Sequence, residues 1–251
     1  VQNKNSDDFK VVTKDKKSKK YLNKLRPIID SMPIRFYKNR KEALFSVSWL
    51  GFDGIVDRIN KLQPDIVHIH WVAGAMMRIE EISKIKAPLV LSLHDMWAFT
   101  GGCHYDQGCG LYKNKCGNCK VLSSEKEHDL SRKVFNRKLN TYSKIKRMNI
   151  IATSRWIGKC AKESSLLKDR AISILPNPID TSIFAPINKS IARNFFAIPK
   201  DKTVVLFGAM NSLLDSRKGS IELFEAIEML QLDNIVFVIA GSSMPQDPQK
   251  F

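Results

Sequence analysis

The sequence predicts an α/β protein with mainly parallel sheets, arranged in two parts. Two observations predict this class. Short, nearly uninterrupted apolar runs are typical of strands that are buried on both faces, and here they alternate with amphipathic segments of helical length. Strands that alternate with helices indicate βαβ units, in which the strands are parallel.

The elements follow one another in a regular order along the chain. Ser154 is placed to cap a helix that begins near Trp156, because its hydroxyl can accept from the first free backbone N–H groups. The predicted strands are 66–70, 89–93, 150–152, 171–175, 203–207 and 235–240. The other predicted helices are 75–85, 131–148 and 220–230.

A boundary between two domains is predicted after residue 175, where prolines interrupt the pattern at 176–178. We assign 1–180 to an amino-terminal domain and 181–251 to a carboxyl-terminal domain. Two parallel strands with one crossover helix cannot cover both faces of a sheet. We therefore expect the sequence to be a fragment that lacks most of its second domain and the first strand unit of its first domain.

The composition suits a globular protein with anionic partners. Of the 251 residues, 43% are hydrophobic and 26% are charged, and the net charge is +16. No apolar run approaches the roughly 20 residues that span a bilayer, and the polar start at 1–10 has no signal-peptide core, so we expect a cytoplasmic protein. The excess of basic residues favours phosphate-bearing ligands, nucleic acid or an acidic membrane surface as partners. The alternative is that the charges are only solvated, as we expect for the run at 14–20.

A site for chemistry is predicted where the strand 89–93 ends. His94 and Asp95 follow this strand directly, and ligands of open α/β sheets bind outside the carboxyl ends of the strands. An imidazole donates to a ligand oxygen or acts as a base near neutral pH, and an aspartate holds that imidazole or takes a hydroxyl proton. The alternative is a structural histidine. The Trp and the Gly-Gly loop that follow favour a site.

Neighbouring residues are predicted to line the same cleft. His70 lies beside Trp71 at the end of its strand, and we expect His68 to point into the packing instead. Trp97 and Phe99 carry rings that suit stacking on a sugar, and core packing fits each of them equally well.

A phosphate site is predicted in the carboxyl-terminal part. Gly208 ends a strand, where a missing side chain lets the backbone approach a ligand. Arg217 and Lys218 precede a helix and add charge to its positive end. The sequence contains neither the Rossmann fingerprint nor a Walker A loop, and solvated side chains are the alternative for this pair.

Four of the five cysteines fall in one segment, at positions 103, 109, 116 and 119. The Cys116-Gly-Asn-Cys119 turn suits a metal knuckle, because it aims two thiolates at one point. The spacing of Cys103 and Cys109 is wider than in a usual zinc knuckle. A structural zinc at these four residues, reduced thiols without a metal, and disulfide or redox chemistry therefore all stay open.

A series of motifs resembles the bacterial glycosyltransferase family 4 enzymes of the colanic-acid type. The resemblance covers nearly the whole chain, and the motifs fall in the expected order. They are HxHW at 68–71, LHDMWAFTGGCHY at 93–105, CGNC at 116–119, TSRW at 153–156, LPNPIDTSIF at 175–184, and FGA at 207–209 followed by DSRKG at 215–219.

The resemblance implies a GT-B fold, with two Rossmann-like domains that face each other across a cleft. It implies transfer of a sugar from a nucleotide-sugar donor to a saccharide or lipid-linked acceptor, with no metal in catalysis. In that setting His94 and Asp95 are the catalytic residues, Arg217 and Lys218 neutralise the leaving diphosphate, and Asn177 lines the cleft near the linker between the domains.

Two parts of the family pattern are absent from this sequence. These are the glycine-rich first loop and the later Glu-x7-Glu motif, so we expect the polypeptide as given to be inactive. A non-catalytic scaffold of the same fold and a basic nucleic-acid-binding protein are the competing hypotheses. The second has only the net charge in its favour, because the sequence carries no recognised nucleic-acid-binding motif.

An acceptor carried on a lipid would place the enzyme at the inner face of the plasma membrane. On a helix over 131–148, an apolar stripe flanked by Lys and Arg would suit an anionic membrane surface. The alternative is that the stripe packs on the sheet and the charges are solvated. The stripe consists of Val134, Leu139, Tyr142 and Ile145.

Overall fold

The computed structural model describes residues 25–41, 43–51, 54–208, 216–230 and 234–240. The chain divides into two compact units, Val1–Pro178 and Ile179–Phe251. The division lies two residues before the end of the amino-terminal domain that we assigned from the sequence.

The sheet of the first unit has four parallel strands in the order β1-β2-β3-β4. All four were predicted, with ends that differ by no more than two residues. Since the strands are parallel, their carboxyl ends lie along the same edge of the sheet. The strands are β1 (Val67–Ile69), β2 (Leu89–Leu93), β3 (Met148–Ala152) and β4 (Ala171–Ile174).

Three α-helices with bounds inside the described part belong to this unit: α1 (Ile55–Leu62), α2 (Leu130–Tyr142) and α3 (Arg155–Glu163). The predicted cap at Ser154 is confirmed, since its side chain accepts from the backbone N–H of Ile157. Short 3-10 helices in this unit are Met32–Phe36, Ile79–Lys84, Trp97–Phe99 and Leu111–Lys113.

Two predicted helices are shorter in the structure. The helix predicted at 75–85 is reduced to the 3-10 segment Ile79–Lys84. Ala75 has a positive φ of 59°, which right-handed helices do not contain, and Arg78 is extended. The helix predicted at 131–148 ends at Tyr142, and Met148 is already the first residue of β3.

The predicted membrane stripe lies in the core. Val134, Tyr142 and Ile145 are buried, and only Leu139 is exposed. The three buried side chains, two on α2 and Ile145 shortly after it, belong to the hydrophobic core of the unit, where α2 packs against the 3-10 segment Ile79–Lys84. Val134, Tyr142 and Ile145 therefore cannot form a stripe that faces a membrane.

The second unit pairs two parallel strands, β5 (Thr203–Gly208) and β6 (Ile235–Ala240). Its helices are α4 (Lys189–Phe195) and α5 (Ser220–Leu230), and the 3-10 segment Ser216–Lys218 precedes α5. The predicted α/β class with parallel sheets is thus confirmed. Within the ranges described above, no helix combines the length and the apolar character that crossing a membrane requires.

Candidate functional site

The carboxyl ends of β1 and β2 bring two histidines together. His70 follows β1 directly, His94 follows β2 directly, and the two strands pair in parallel. His70 Nδ1 and His94 Nε2 lie 2.8 Å apart, within hydrogen-bonding distance. Both rings are exposed, so the pair is open to a ligand at the edge where open α/β sheets bind ligands.

His68 belongs to the same row of imidazoles. Its ring centre lies 4.3 Å from that of His70, and its Nε2 lies 2.8 Å from Ser92 Oγ. The expectation that His68 points into the packing is wrong, because residues two apart on a strand share one face and His68 is exposed. Partial burial, and then the charges of His68 and His94, lower the pKa of His70, so the neutral form of the His70 ring is favoured.

The carboxylate of Asp95 is bonded within its own loop. Its Oδ1 accepts from the backbone N–H of Trp97 at 2.7 Å, and its Oδ2 lies 2.6 Å from His104 Nδ1. His104 is buried, and its Nε2 lies 2.9 Å from Ser46 Oγ. Since both carboxylate oxygens have protein partners, Asp95 shapes the loop that carries His94.

Both rings that were predicted to suit stacking on a sugar, those of Trp97 and Phe99, lie in the core. Trp97 is 3% exposed and Phe99 is fully buried. The indole N–H of Trp97 donates to the Ser46 carbonyl at 3.0 Å. Trp97 still lines a small pocket together with His70, His94 and the neighbouring Trp71. Trp71 is 45% exposed and is therefore the ring best placed to contact a sugar.

A buried lysine holds the loop from the side of α2. Lys138 is fully buried, and its ammonium group donates to the carbonyls of Trp97 and Thr100. The same nitrogen lies 4.0 Å from the centre of the Trp97 ring, a cation–π distance. Burial lowers the pKa of Lys138 to about 7.

The two glycines of the loop are required by close packing. A Cβ on Gly101 would lie 2.8 Å from Cys116 Cβ, and one on Gly102 would lie 2.6 Å from the Phe45 ring. Gly102 also has a φ of +120°, which L side chains rarely adopt. The Gly-Gly pair therefore lets the loop return against the segment that contains Phe45.

The cysteine segment places Cys103 and Cys119 in hydrogen-bond contact, and this contact lowers the pKa of Cys119 to about 7. The backbone N–H of Gly101 donates to Cys116 Sγ at 3.1 Å, and burial raises the pKa of Cys116 to about 12. All five cysteines are free thiols. In the described ranges, no group of three or more His, Cys, Asp or Glu side chains is arranged to hold a metal ion. The structural zinc stays a prediction.

The predicted phosphate residues belong to the second unit. Gly208 is the last residue of β5, and Arg217 and Lys218 are exposed just before α5 begins at Ser220. Residues 209–215, which complete the predicted loop, lie outside the described part. Asn177 is exposed, one residue before the first unit ends. The roles of these four residues remain predictions.

Sequence reasoning missed Ser46 and Lys138, and it did not connect His104 with Asp95. Ser46 is 58 residues from His104, and Lys138 is 41 residues from Trp97, so no local pattern links them. The HDxW spacing was the one available signal that the aspartate folds back on its own loop, because an Asp side chain commonly accepts from the backbone N–H two residues on.

Comparison with models of protein families gives a match that covers most of the chain. The model of the family described as Glycosyltransferase Family 4 matches residues 4–183, which include both histidines of the pair and the cysteine segment. No curated protein matches the chain.

Proposed function

Because the chain belongs to glycosyltransferase family 4, we propose that it moves a sugar from a nucleotide-sugar donor to a saccharide or lipid-linked acceptor. The family match establishes a glycosyltransferase-type function with a sugar donor and an acceptor in general. The proposal adds the kind of donor, a hexosyl group as the transferred sugar, and a role in surface polysaccharide biosynthesis of the colanic-acid type.

The observation that carries the proposal is the His70–His94 pair at the sheet edge. The two imidazoles lie 2.8 Å apart and are exposed, at the edge where a ligand would bind. A neutral imidazole accepts a proton from a hydroxyl or donates to a sugar oxygen near neutral pH. The exposed Trp71 beside the pair adds an aromatic face for a sugar ring.

The donor diphosphate is proposed to bind at the predicted phosphate residues of the second unit. A leaving nucleoside diphosphate gains negative charge in the transition state, and cationic side chains at a helix start stabilise that charge. Arg217 and Lys218 precede α5, and Gly208 presents a strand end without a side chain. Since charge neutralisation is then supplied by side chains, we propose that transfer needs no catalytic metal.

The location is also part of the proposal. We place the enzyme in the cytoplasm, at the inner face of the plasma membrane when its acceptor is lipid-linked. Four basic residues on α2 or in the short segment between α2 and β3 are exposed and can face an anionic surface: Lys133, Lys144, Lys146 and Arg147.

A donor screen of the full-length protein tests the function. Uridine, guanosine and adenosine diphosphate sugars are offered with saccharide and lipid-linked acceptors, with and without a metal chelator. Mass spectrometry detects the product. Transfer from one donor class in the presence of chelator supports the proposal. Binding of a nucleoside diphosphate without transfer indicates a scaffold, and preferential binding of nucleic acid indicates the rival function.

A further inference from the structure

We propose that His70 is a positioning residue that fixes the tautomer of His94 and leaves His94 Nδ1 free to accept a proton from a substrate hydroxyl. The inference rests on the proposed glycosyl transfer. It assigns His70 a purpose beyond lining the cleft, and it selects the nitrogen of His94 that meets the substrate.

The first step is the proton count of the pair. Only one hydrogen can lie between His70 Nδ1 and His94 Nε2, which are 2.8 Å apart. Either His94 donates its Nε2–H and keeps a bare Nδ1, or His70 donates its Nδ1–H and His94 carries a hydrogen on Nδ1. These two arrangements present opposite chemistry to a ligand, because one offers a base and the other a donor.

The second step decides between the two arrangements. When His94 donates, both rings carry their hydrogen on Nε2, which is the intrinsically more stable tautomer of a histidine side chain. When His70 donates, both rings must adopt the less stable Nδ1–H form. His68 does not compete for the bond, since its Nε2 is taken up by Ser92 Oγ at 2.8 Å.

The third step concerns access. Within the described part of the chain, His94 Nδ1 has no hydrogen-bond partner, and the ring is exposed. The nitrogen is therefore available to a ligand hydroxyl. When it accepts a proton there, His94 becomes an imidazolium whose Nε2–H is still donated to His70. A neutral His70 stabilises that charged ring, much as an aspartate orients the histidine of a hydrolase triad.

Spectroscopy of the protein tests the inference without an activity assay. In protein labelled with 15N-histidine, two-bond proton–nitrogen correlation spectra show which ring nitrogen carries the hydrogen. We expect His94 to carry its hydrogen on Nε2 in the wild type and to become a mixture of tautomers in His70→Leu. A hydrogen on Nδ1 of His94 in the wild type would overturn the proposal.

Two variants separate positioning from a merely structural role. His70→Asn places an amide oxygen where Nδ1 stood, so it should retain the acceptor and most of the turnover. His70→Leu should lower kcat roughly tenfold or more with little change in KM, because the His94 imidazolium loses one hydrogen bond in the transition state. His68→Leu is the matched control in the same row and should leave the His94 tautomer unchanged.

The pH profile gives a further readout. The titratable groups that act on His70 are His68 and His94. Losing the acceptor for the His94 imidazolium should move the acidic limb of the kcat profile to lower pH in His70→Leu but not in His70→Asn. Equal profiles and equal kcat in all three proteins would contradict the inference. If the tautomer is as expected but no donor sugar is transferred, the proposed function fails and the hydrogen bond stands without a catalytic purpose.

Discussion

The His104 Nδ1 and Asp95 Oδ2 atoms lie 2.6 Å apart, although the two residues are nine positions apart in the chain. His104 Nδ1 carries the hydrogen that faces the carboxylate, so in the neutral ring Nε2 accepts from the hydroxyl of Ser46, 2.9 Å away. This chain of three side chains fastens the loop after β2 to the segment that contains Ser46. Asp95 was predicted to be catalytic; its bonds favour a role in positioning His94.

His104→Ala should destabilise the protein by about 1–3 kcal/mol, because one oxygen of the partly buried Asp95 carboxylate and the hydroxyl of Ser46 both lose the partner that His104 gives them. Urea denaturation measures this difference. Asp95→Asn should lower both stability and turnover, since the amide keeps only one acceptor oxygen, and either the Trp97 N–H or the His104 Nδ1–H then faces an NH2 group. If Asp95→Asn instead reduces turnover as strongly as a His94 variant while stability is unchanged, Asp95 acts on the substrate.

His94→Ala in the full-length enzyme should reduce turnover on the order of 10²-fold or more, as expected for a lost acid–base or orienting group. His94 is exposed, so the substitution leaves no cavity in the core and stability should hardly change. Steady-state kinetics with thermal unfolding as the control measures both. Unchanged kinetics would remove His94 from the mechanism.

Replacing Arg217 and Lys218 together with Ala should weaken binding of a nucleoside diphosphate as well as of the nucleotide sugar. Charge-assisted hydrogen bonds to phosphate contribute about 1.5–3 kcal/mol each. Isothermal titration calorimetry measures the affinity, and replacement of the exposed pair Lys84 and Lys86 of the first unit serves as the charge-matched control. Equal affinity in the Arg217 and Lys218 variant means that the pair is surface charge only.

Lys138 should make the stability of the protein depend on pH. Its folded pKa of about 7 lies below its ordinary value of 10.5, so between these values the unfolded chain binds more protons than the folded one. The contribution of Lys138 to stability therefore rises with pH from about 7 upward, by at most about 1.4 kcal/mol per pH unit.

The pKa of Cys119 is also about 7, so its titration also changes the free energy of unfolding in this pH range. The contribution of Lys138 is therefore obtained by subtracting the free energy of unfolding of Lys138→Met from that of the wild type at each pH. The free energy of unfolding of the wild type relative to that variant should increase between pH 7 and pH 9 in urea denaturation. A difference that stays constant over this range would mean that Lys138 remains protonated in the folded protein.

Vesicle co-sedimentation tests the membrane surface that the basic composition predicts. Binding to anionic vesicles should weaken as salt rises, because the attraction is screened over about 10 Å at 0.1 M. Each basic residue near the lipid contributes roughly 1 kcal/mol. Replacing Lys133, Lys144, Lys146 and Arg147 with Gln should reduce the binding. Equal pelleting with neutral and anionic vesicles, or none with either, would remove the membrane proposal.

The sequence by itself determined the α/β class, the positions of the strands and the place of the candidate site. These follow from local chemistry. A short apolar run such as Leu89–Leu93 is typical of a strand buried inside a sheet, and a polar pair directly after such a strand, here His94 and Asp95, lies at its carboxyl edge. The cap at Ser154 is equally local, since it needs only the backbone N–H groups of the next turn.

Only the tertiary structure decided what each side chain of the site does. The pairing of β1 with β2 brought His70 to His94 across 24 residues, and the return of the loop against Phe45 gave Asp95 its partner in His104. The packing of α2 turned Lys138, a residue of a basic stretch, into a buried clamp on the loop. The physical reason is that burial and long-range hydrogen bonds depend on the residues that the fold brings close together, and neither composition nor spacing along the chain contains that proximity.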